Sequence, residues 1–399
     1  MNIRDSIKAL SEEMTTYRRA MHENPQTCYE EFFASDLVAK KLKEWGIKHA
    51  RGIAVTGVVA TIEGNTNTSD HAIALRADMD ALDILETDNK PYVSKIPGKM
   101  HGCGHDGHTA MLLGAAKYLN ENRNFDGKVH LIFQPAEEGG GGAIRMIEEQ
   151  LFDRFPCDAV FGLHNWPIMP LGTFATTPGP IMAATDRFEI LILGKGGHAA
   201  APHRVIDPIV IGAQLVSALQ TLVSRTTDPI KSAVLSITNF NAGTGAFNVI
   251  PESAHLNGTL RSFDPDLRKM LKKRIIKISQ DVAKTFGASA QVEFDPGSYD
   301  PTVNTPEATA LCVSVAHEIF GDDNVDPIAE PCMGAEDFGA MLQAKPGCYV
   351  MIGQGDPKDK KSNHNYGLHT PQYDFNDDLI PTGIEYWVRL VETALPSKE

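Results

Sequence analysis

Within the segment Met100–Leu113, MHGCGHDGHTAMLL, three histidines, a cysteine and an aspartate fall inside eight residues. Glycines at 102, 104 and 107 separate them, so the backbone can turn tightly and aim several side chains at one point. Cys103 and His105 are two apart. That spacing lets both reach one cation from a loop, whereas two positions on a helix point to different faces. A thiolate paired with an imidazole suits zinc or another transition metal better than magnesium or calcium.

Further donors recur along the chain. Asp78, Glu137 with Glu138, and His164 each sit just past a short apolar, β-rich run, and His369 lies in a late loop. Cys103, His105, Glu138, His164 and His369 together exceed what one tetrahedral ion needs. Two ions sharing bridging groups fit better, and such a pair, about 3.5–4 Å apart, can hold a hydroxide and polarise a carbonyl. Glu137 adjoins a ligand, but neighbouring side chains in an extended loop diverge. It is therefore placed to take a proton from the water and pass it to a leaving amine. Asp78 reads as a group that orients a ligand or tunes the metal. His101, His108 and His364 read as ordinary loop or helix histidines, and His22 and His317 as surface or core residues.

These residues need a scaffold. Met1–Tyr17 has helical apolar spacing, and a helical pattern returns over Glu30–Trp45. Ile53–Ile62, Ala72–Arg76, Val129–Phe133 and Asp158–Leu163 read as strands, the last ending at His164. Helices follow the 100–108 loop and run through Ile144–Gln150. Alternating strands and helices predict an α/β fold with a mixed, mostly parallel sheet, whose carboxyl edge is where ligands bind.

The character changes near Ala183. Asp186–Leu193, Asp207–Ser224, Ala233–Asn239, Ala254–Ser262, Pro265–Phe286 and Ala290–Phe294 read β-α-β-β-α-β, a ferredoxin-like split βαβ unit with antiparallel edges available for pairing. The expected organisation is a catalytic domain in two parts, 1–182 and 297–399, with an inserted domain at 183–296. In the second part a helix is expected at Ala308–Phe320, a strand at Cys348–Ile352 and a closing helix at Pro381–Ala394.

The chain has 399 residues, 42% hydrophobic and 22% charged, with a net charge of −14. An acidic balance offers no cationic surplus for phosphates, which argues against a nucleic-acid partner or an anionic membrane surface. The six cysteines are scattered, no secretory leader is visible, and no apolar run reads as a membrane span of ~20 residues. A reducing, cytoplasmic setting is expected.

The segments RADMDAL, MHGCGHDGHTAMLLGAA, QPAEEGGGGA, LHNWP, GKGGHAAAPH, FNVIPESAHLNGTLR, GAEDF and GLHTPQYDFND occur in this order. The chain resembles the amidohydrolase branch of the aminoacylase–carboxypeptidase superfamily of dinuclear metallopeptidases, which includes hippurate hydrolases and indole-acetyl-amino-acid hydrolases. The resemblance spans roughly residues 15 to 385. It implies that Cys103, His105, Glu138, His164 and His369 hold two divalent ions, zinc or manganese, with cobalt or nickel also open. It implies that Glu137 is general base and then acid, and that the inserted domain mediates a homodimer or a higher oligomer. His198, in GKGGHAAAPH, resembles the histidine that reaches the neighbouring subunit's site to donate to an oxyanion. Asn248 and Arg261 resemble contacts to the substrate carboxylate, a task a guanidinium can perform bidentately.

One departure is informative. The wider superfamily takes a metal ligand from a His-x-Asp motif, whereas Arg76-Ala77-Asp78 has arginine there. The expected activity is hydrolysis of N-acyl amino acids to a carboxylic acid and a free amino acid. Its rivals are a dipeptidase or carboxypeptidase with the same machinery, and a non-enzymatic metal-binding protein.

Overall fold

Seven consecutive buried residues, Ala72–Asp78, form a central strand whose last side chain is a carboxylate. The structure is a computed structural model describing residues 1–87 and 90–397. Its principal strands are β1 (Lys48–Ile53), β2 (Gly57–Glu63), β3 (Ala72–Asp78), β4 (Lys128–Gln134), β5 (Ala159–Pro170), β6 (Ala184–Leu193), β7 (Ala233–Ala242), β8 (Ser253–Ser262), β9 (Ser289–Phe294) and β10 (Gly347–Gly355). Its principal helices are α1 (Ser11–Glu23), α2 (Phe32–Glu44), α3 (His105–Glu121), α4 (Pro208–Thr221), α5 (Pro265–Thr285), α6 (Pro306–Phe320) and α7 (Ile380–Ala394).

The chain divides into two compact units, one of Met1–Ile181, Thr302–Pro331 and Asp337–Glu399, the other of Met182–Pro301 and Cys332–Glu336. In the first, eight strands pair in the order β1-β2-β4-β3-β5-β10, continued by Phe174–Ala175 and Val325–Asp326. The pairs β3–β4, β3–β5 and β5–β10 are parallel, while β1–β2 and β2–β4 are antiparallel. This is a mixed α/β fold on a large, mostly parallel sheet. β3, β4 and β5 are neighbours, so the residues at their carboxyl ends converge.

Helix α3 is buried along almost its whole length. Two glycines permit its close approach to α7. A Cβ at Gly114 would lie 2.3 Å from Ile384 Cδ1, and one at Gly383 would lie 2.0 Å from Met111 Sδ. The tight contact fixes the helix whose first residue is His105.

Three local expectations differ from the structure. The run Ile53–Ile62 is not one strand, because Ala54 and Val55 take positive φ values of 50° and 74° and turn the chain into the β1–β2 hairpin. The Ala54 N–H donates to Glu149 Oε2 at 2.8 Å, a partner no local pattern announces. The first helical pattern is interrupted at Ala9–Leu10 and then runs to Glu23. His164 lies inside β5 rather than beyond it, since the ladder continues with His164 opposite Met351 of β10.

The second unit follows the order β6-α4-β7-β8-α5-β9, and its strands pair antiparallel as β7-β8-β6-β9. Phe188, Ile190 and Ile192 of β6, Leu256 and Leu260 of β8, Ile211, Leu215 and Leu219 of α4, and Leu271 and Ile275 of α5 form its core. The helical stretch Pro208–Thr226 is long and apolar enough to cross a membrane by length and composition alone, with a mean hydropathy of 1.2. Its inward residues at helical spacing pack into this core, so it serves here as a packing helix. No charged residue occurs from 208 to 224, and Ile209 and Val210 are exposed.

Asp186 of β6 is a buried carboxylate that ties down α5. Arg268 donates to both its oxygens at 2.7 and 2.9 Å and Lys272 Nζ donates at 2.6 Å. Burial alone would raise its pKa, but Arg268 and Lys272 hold it below its ordinary value of 3.8. The stabilisation is therefore fully present above about pH 4 and is lost as pH falls through the lowered value. We expect Asp186→Asn to cost about 2 kcal/mol in urea unfolding of the full chain at pH 7. That is less than the roughly 3–5 kcal/mol for breaking a wholly buried pair, because both cations keep some exposure. The difference from wild type should shrink as the pH is taken below 4, and a constant difference would overturn this account.

Candidate metal centre

Gly104 has φ 97° and lies between Cys103 and His105, in a conformation that penalises a side chain. A Cβ there would also sit 2.3 Å from Asn165 Oδ1 and 2.6 Å from Tyr373 Oη. The bend puts the Cys103 thiol in the loop and His105 at the first position of α3. His369 takes φ 63°, and its N–H donates to Gly102 O at 2.8 Å. Two distant loops are thereby joined edge to edge.

The donors converge. Ligand atoms of Cys103, His105 and His164 lie within 4.8 Å of one another, as do those of Cys103, Glu138 and His369, and those of His105, Glu137 and Glu138. Cys103 Sγ is 3.4 Å from His164 Nε2, and His369 Nε2 is 2.9 Å from Glu138 Oε1.

The two buried histidines share one arrangement. His164 Nδ1 is 2.6 Å from Asn165 O, which fixes the proton on Nδ1 and turns the Nε2 lone pair toward Cys103. His105 Nδ1 is 3.2 Å from Asp80 Oδ1, and its buried Nε2 has no hydrogen-bond partner. Glu138 Oε1 likewise makes no aligned hydrogen bond, despite its proximity to His369. A second partner that sets the tautomer and ring orientation is the usual support of a metal-bound imidazole. Buried polar atoms that face one another without pairing are costly, and a divalent cation would satisfy them together. The donor set fits divalent metal ions.

Electrostatics point the same way. Burial, then Glu138 and Glu137, push the Cys103 thiol well above its ordinary pKa of 9.0, so it would ionise only beside a positive charge. Burial opposes charge on His105, yet Asp78, Asp80 and Glu138 raise its pKa to about 10. Burial, then His108, push His164 well below 6.5.

Arg76 accounts for the departure from His-x-Asp. Its guanidinium is buried and donates to Gln134 Oε1 at 2.8 Å, Asp78 Oδ2 at 2.7 Å and Asp337 Oδ1 at 3.1 Å. It neutralises carboxylates beside the donor cluster. Burial would raise the Asp78 pKa, but His105, Arg76 and His108 hold it well below 3.8.

The shell differs in detail from the sequence expectation. Asp78 Oδ1 is 2.6 Å from His108 Nδ1, and His108 Nε2 is 2.6 Å from Asn165 Oδ1. His108 thus belongs to the network rather than being an ordinary helix residue. Asp80 orients His105, and its other oxygen accepts from the Glu138 N–H at 2.8 Å. Asp78 is 3.7 Å from His105 Nε2. The alternation RADMD was the available signal for Asp80, since residues two apart on a strand share a face. His22 is buried, 2.8 Å from Asp106 Oδ2 and 3.1 Å from Glu86 Oε1. His364 stays in its loop, and His317 pairs with Asp322.

The remaining candidates lie in the second unit. His198 is exposed and pairs with Val249 in the short ladder Gly197–His198/Val249–Ile250. Asn248 adjoins it, its C=O accepting from Ala199 N at 3.0 Å. Arg261 is on β8 and donates to Met333 O at 3.4 Å.

Known proteins match this sequence and fold. The profile of peptidase family M20/M25/M40 matches residues 74–393, and the chain belongs to that family. It is an enzyme acting on amide bonds. It is 41% identical to the hippurate hydrolase of Campylobacter jejuni, covering 98% of each chain. It is 40% identical to thermostable carboxypeptidase 2 of Saccharolobus solfataricus, covering 96% of this chain and 95% of that one. The crystal structure of the YXEP protein of Bacillus subtilis, described as a dinuclear metal binding peptidase from the M20 family, superposes with a TM-score of 0.82 at 32% identity, covering 98% of this chain and all of that one.

We expect Asp80→Asn to weaken metal binding about 10–100-fold, the scale for removing a partner of a metal-bound imidazole. Chelator competition on the folded variant measures this, and wild-type affinity would remove Asp80 from the shell.

Proposed function

We propose that the protein hydrolyses the amide bond of N-acyl amino acids, hippurate-like or N-acetyl, to a carboxylic acid and a free amino acid. Cys103, His105, Glu138, His164 and His369 hold two divalent ions, zinc or manganese, with cobalt or nickel as alternatives. The observation that carries this reading is the gathering of three imidazoles, a thiol and a carboxylate in overlapping clusters, buried at Cys103, His105 and His164 and exposed at His369, with a further carboxylate beside them. When bound, the ions supply Lewis acidity toward the amide carbonyl and lower the pKa of a water.

Glu137 is the base that takes the proton from that water and then delivers it to the departing nitrogen. Its carboxylate is buried, and Oε1 accepts from the Asp337 N–H at 3.3 Å, which aims it. Asp78 acts indirectly, holding His108 while Arg76 balances its charge. Arg261 and Asn248 take the substrate carboxylate, and His198 donates to the oxyanion in the neighbouring subunit's site.

The second unit is read as a ferredoxin-like dimerisation and lid domain at 183–296, inserted between catalytic parts 1–182 and 297–399. Two features support a second copy of this chain as its partner. The outer face of α4 presents Ile209 and Val210 without charge, and the edge strand β7, AVLSITNFNA, carries no charge and exposes Val234 and Phe240. An uncharged open edge is a template for strand pairing. We place the enzyme in the cytoplasm, acting on a small substrate, with neither nucleic acid nor membrane as partner.

A carboxypeptidase reading is favoured by one observation, the 40% identity to a protein of that name. Both readings cleave an amide whose nitrogen belongs to an amino acid with a free carboxylate. Comparing kcat/KM for hippurate, N-acetyl amino acids and peptides separates them, and preference for peptides would overturn the N-acyl assignment.

We expect Glu137→Gln to keep its metal and lose at least about 10²–10⁴-fold in kcat, the scale of general acid–base catalysis; near-normal turnover would refute the role. Mixed dimers of His198→Ala with Glu137→Gln should regain activity, because each supplies what the other lacks. Verified heterodimers that remain inactive would return His198 to its own subunit.

A further inference from the structure

The dipeptide Glu137-Glu138 is held from a segment that contributes no metal donor. Ala136, just before it, is a non-glycine residue with φ 52°, a conformation that persists only where the surroundings impose it. Its N–H donates to Glu31 Oε1 at 3.0 Å. The same oxygen accepts from Tyr29 N at 2.8 Å, and Glu31 Oε2 accepts from Thr56 Oγ1 at 2.5 Å. Glu31 is wholly buried, so this carboxylate faces protein donors rather than solvent.

The far side of the dipeptide is held by the same segment. Tyr29 Oη donates to Gly140 O at 2.7 Å. Cys28 Sγ fills the space beside Gly140, where a Cβ would approach it to 2.6 Å. Cys28 and Tyr29 themselves take positive φ values of 25° and 65°. The Arg145 guanidinium lies 4.9 Å from the Tyr29 ring centroid. Residues 136 and 140 are therefore pinned from 28–31, with the two glutamates between.

We propose that Glu31 and Tyr29 are positioning residues for hydrolysis, a clamp that sets where the Glu137 carboxylate stands. Glu31 acts as a two-oxygen acceptor, and its charge is incidental. This rests on the reading of Glu137 as the base. A displacement of about 1 Å at a reacting group can cost on the order of 10²-fold in rate, so the clamp is visible in kcat while substrate binding and metal content stay.

The test uses the full-length metal-loaded enzyme and four variants. We expect Glu31→Ala to lose about 10²-fold in kcat with KM within about threefold and metal content equal to wild type by elemental analysis. Glu31→Gln keeps an oxygen for Tyr29 N and Ala136 N, and its amide can donate to Thr56 Oγ1. It should recover most of the loss. Tyr29→Phe, which leaves the Glu31 contacts intact, should lose about tenfold in kcat on the same argument. Glu31→Ala turning over within threefold of wild type, Glu31→Gln as impaired as Glu31→Ala, or loss of metal in Glu31→Ala would each overturn the clamp. If Glu31→Ala does not fold, Tyr29→Phe decides, and wild-type kcat there overturns it. Glu137→Gln, run alongside, separates the two claims. An active Glu137→Gln defeats the base assignment and the clamp with it, whereas an inactive Glu137→Gln beside a fully active Glu31→Ala defeats the clamp alone.

Discussion

Five donor groups gather in overlapping clusters, buried at Cys103, His105 and His164 and exposed at His369, and two of their buried atoms, His105 Nε2 and Glu138 Oε1, find no hydrogen-bond partner among them. An imidazole nitrogen without a partner and a carboxylate beside a second imidazole without aligned bonding are a standing cost unless a cation joins them. Such an arrangement persists only if the groups are prevented from rotating away, and much of the first unit meets that demand. Asp80 and the Asn165 carbonyl set the tautomers of His105 and His164, and the Gly104 bend and its Asn165–Tyr373 buttress fix the loop between Cys103 and His105. The close α3–α7 contact immobilises the helix that begins at His105.

Charge balance is the second layer. Asp78, Asp80, Glu137, Glu138 and Asp337 bring much negative charge into low-dielectric surroundings, where uncompensated carboxylates are expensive. Arg76 answers this from the centre of the sheet, donating to Asp78 and Asp337 at once. Asp337 also accepts from Gln134 Nε2 and Ala143 N, and its own N–H reaches Glu137. One residue thus links the buried Arg76 to the proposed base, through its carboxylate and its backbone N–H. An arginine where a related motif carries a metal-binding histidine serves the surroundings of the site, while the Cys-x-His pair supplies donors.

The legibility of the site in the sequence divides along physical lines. Cys103, His105, Glu137 and Glu138 stand out because their spacing limits where their side chains can go, and the alternation of strands with helices places Asp78 near the same sheet edge. Asp80, His108 and Glu31 did not stand out. Asp337 is 203 residues from Gln134 and 261 from Arg76, and Glu31 is 105 from Ala136. A hydrogen bond between residues so far apart leaves no periodicity. The β1–β2 turn leaves no local signal for the same reason, since Ala54 and Val55 are poor turn formers and the Ala54 N–H is held by a carboxylate 95 residues away.

From the sequence alone came the α/β class, the metal-binding character of the 100–108 segment, the paired glutamates and the family resemblance, because each depends on composition, local spacing or motif order. Tertiary structure decided which nitrogen of each histidine turns inward, which aspartate orients His105, why Arg76 is tolerated, and what holds Ala136 in its strained backbone. These depend on directions and distances between segments remote in the chain, and only packing brings such segments together.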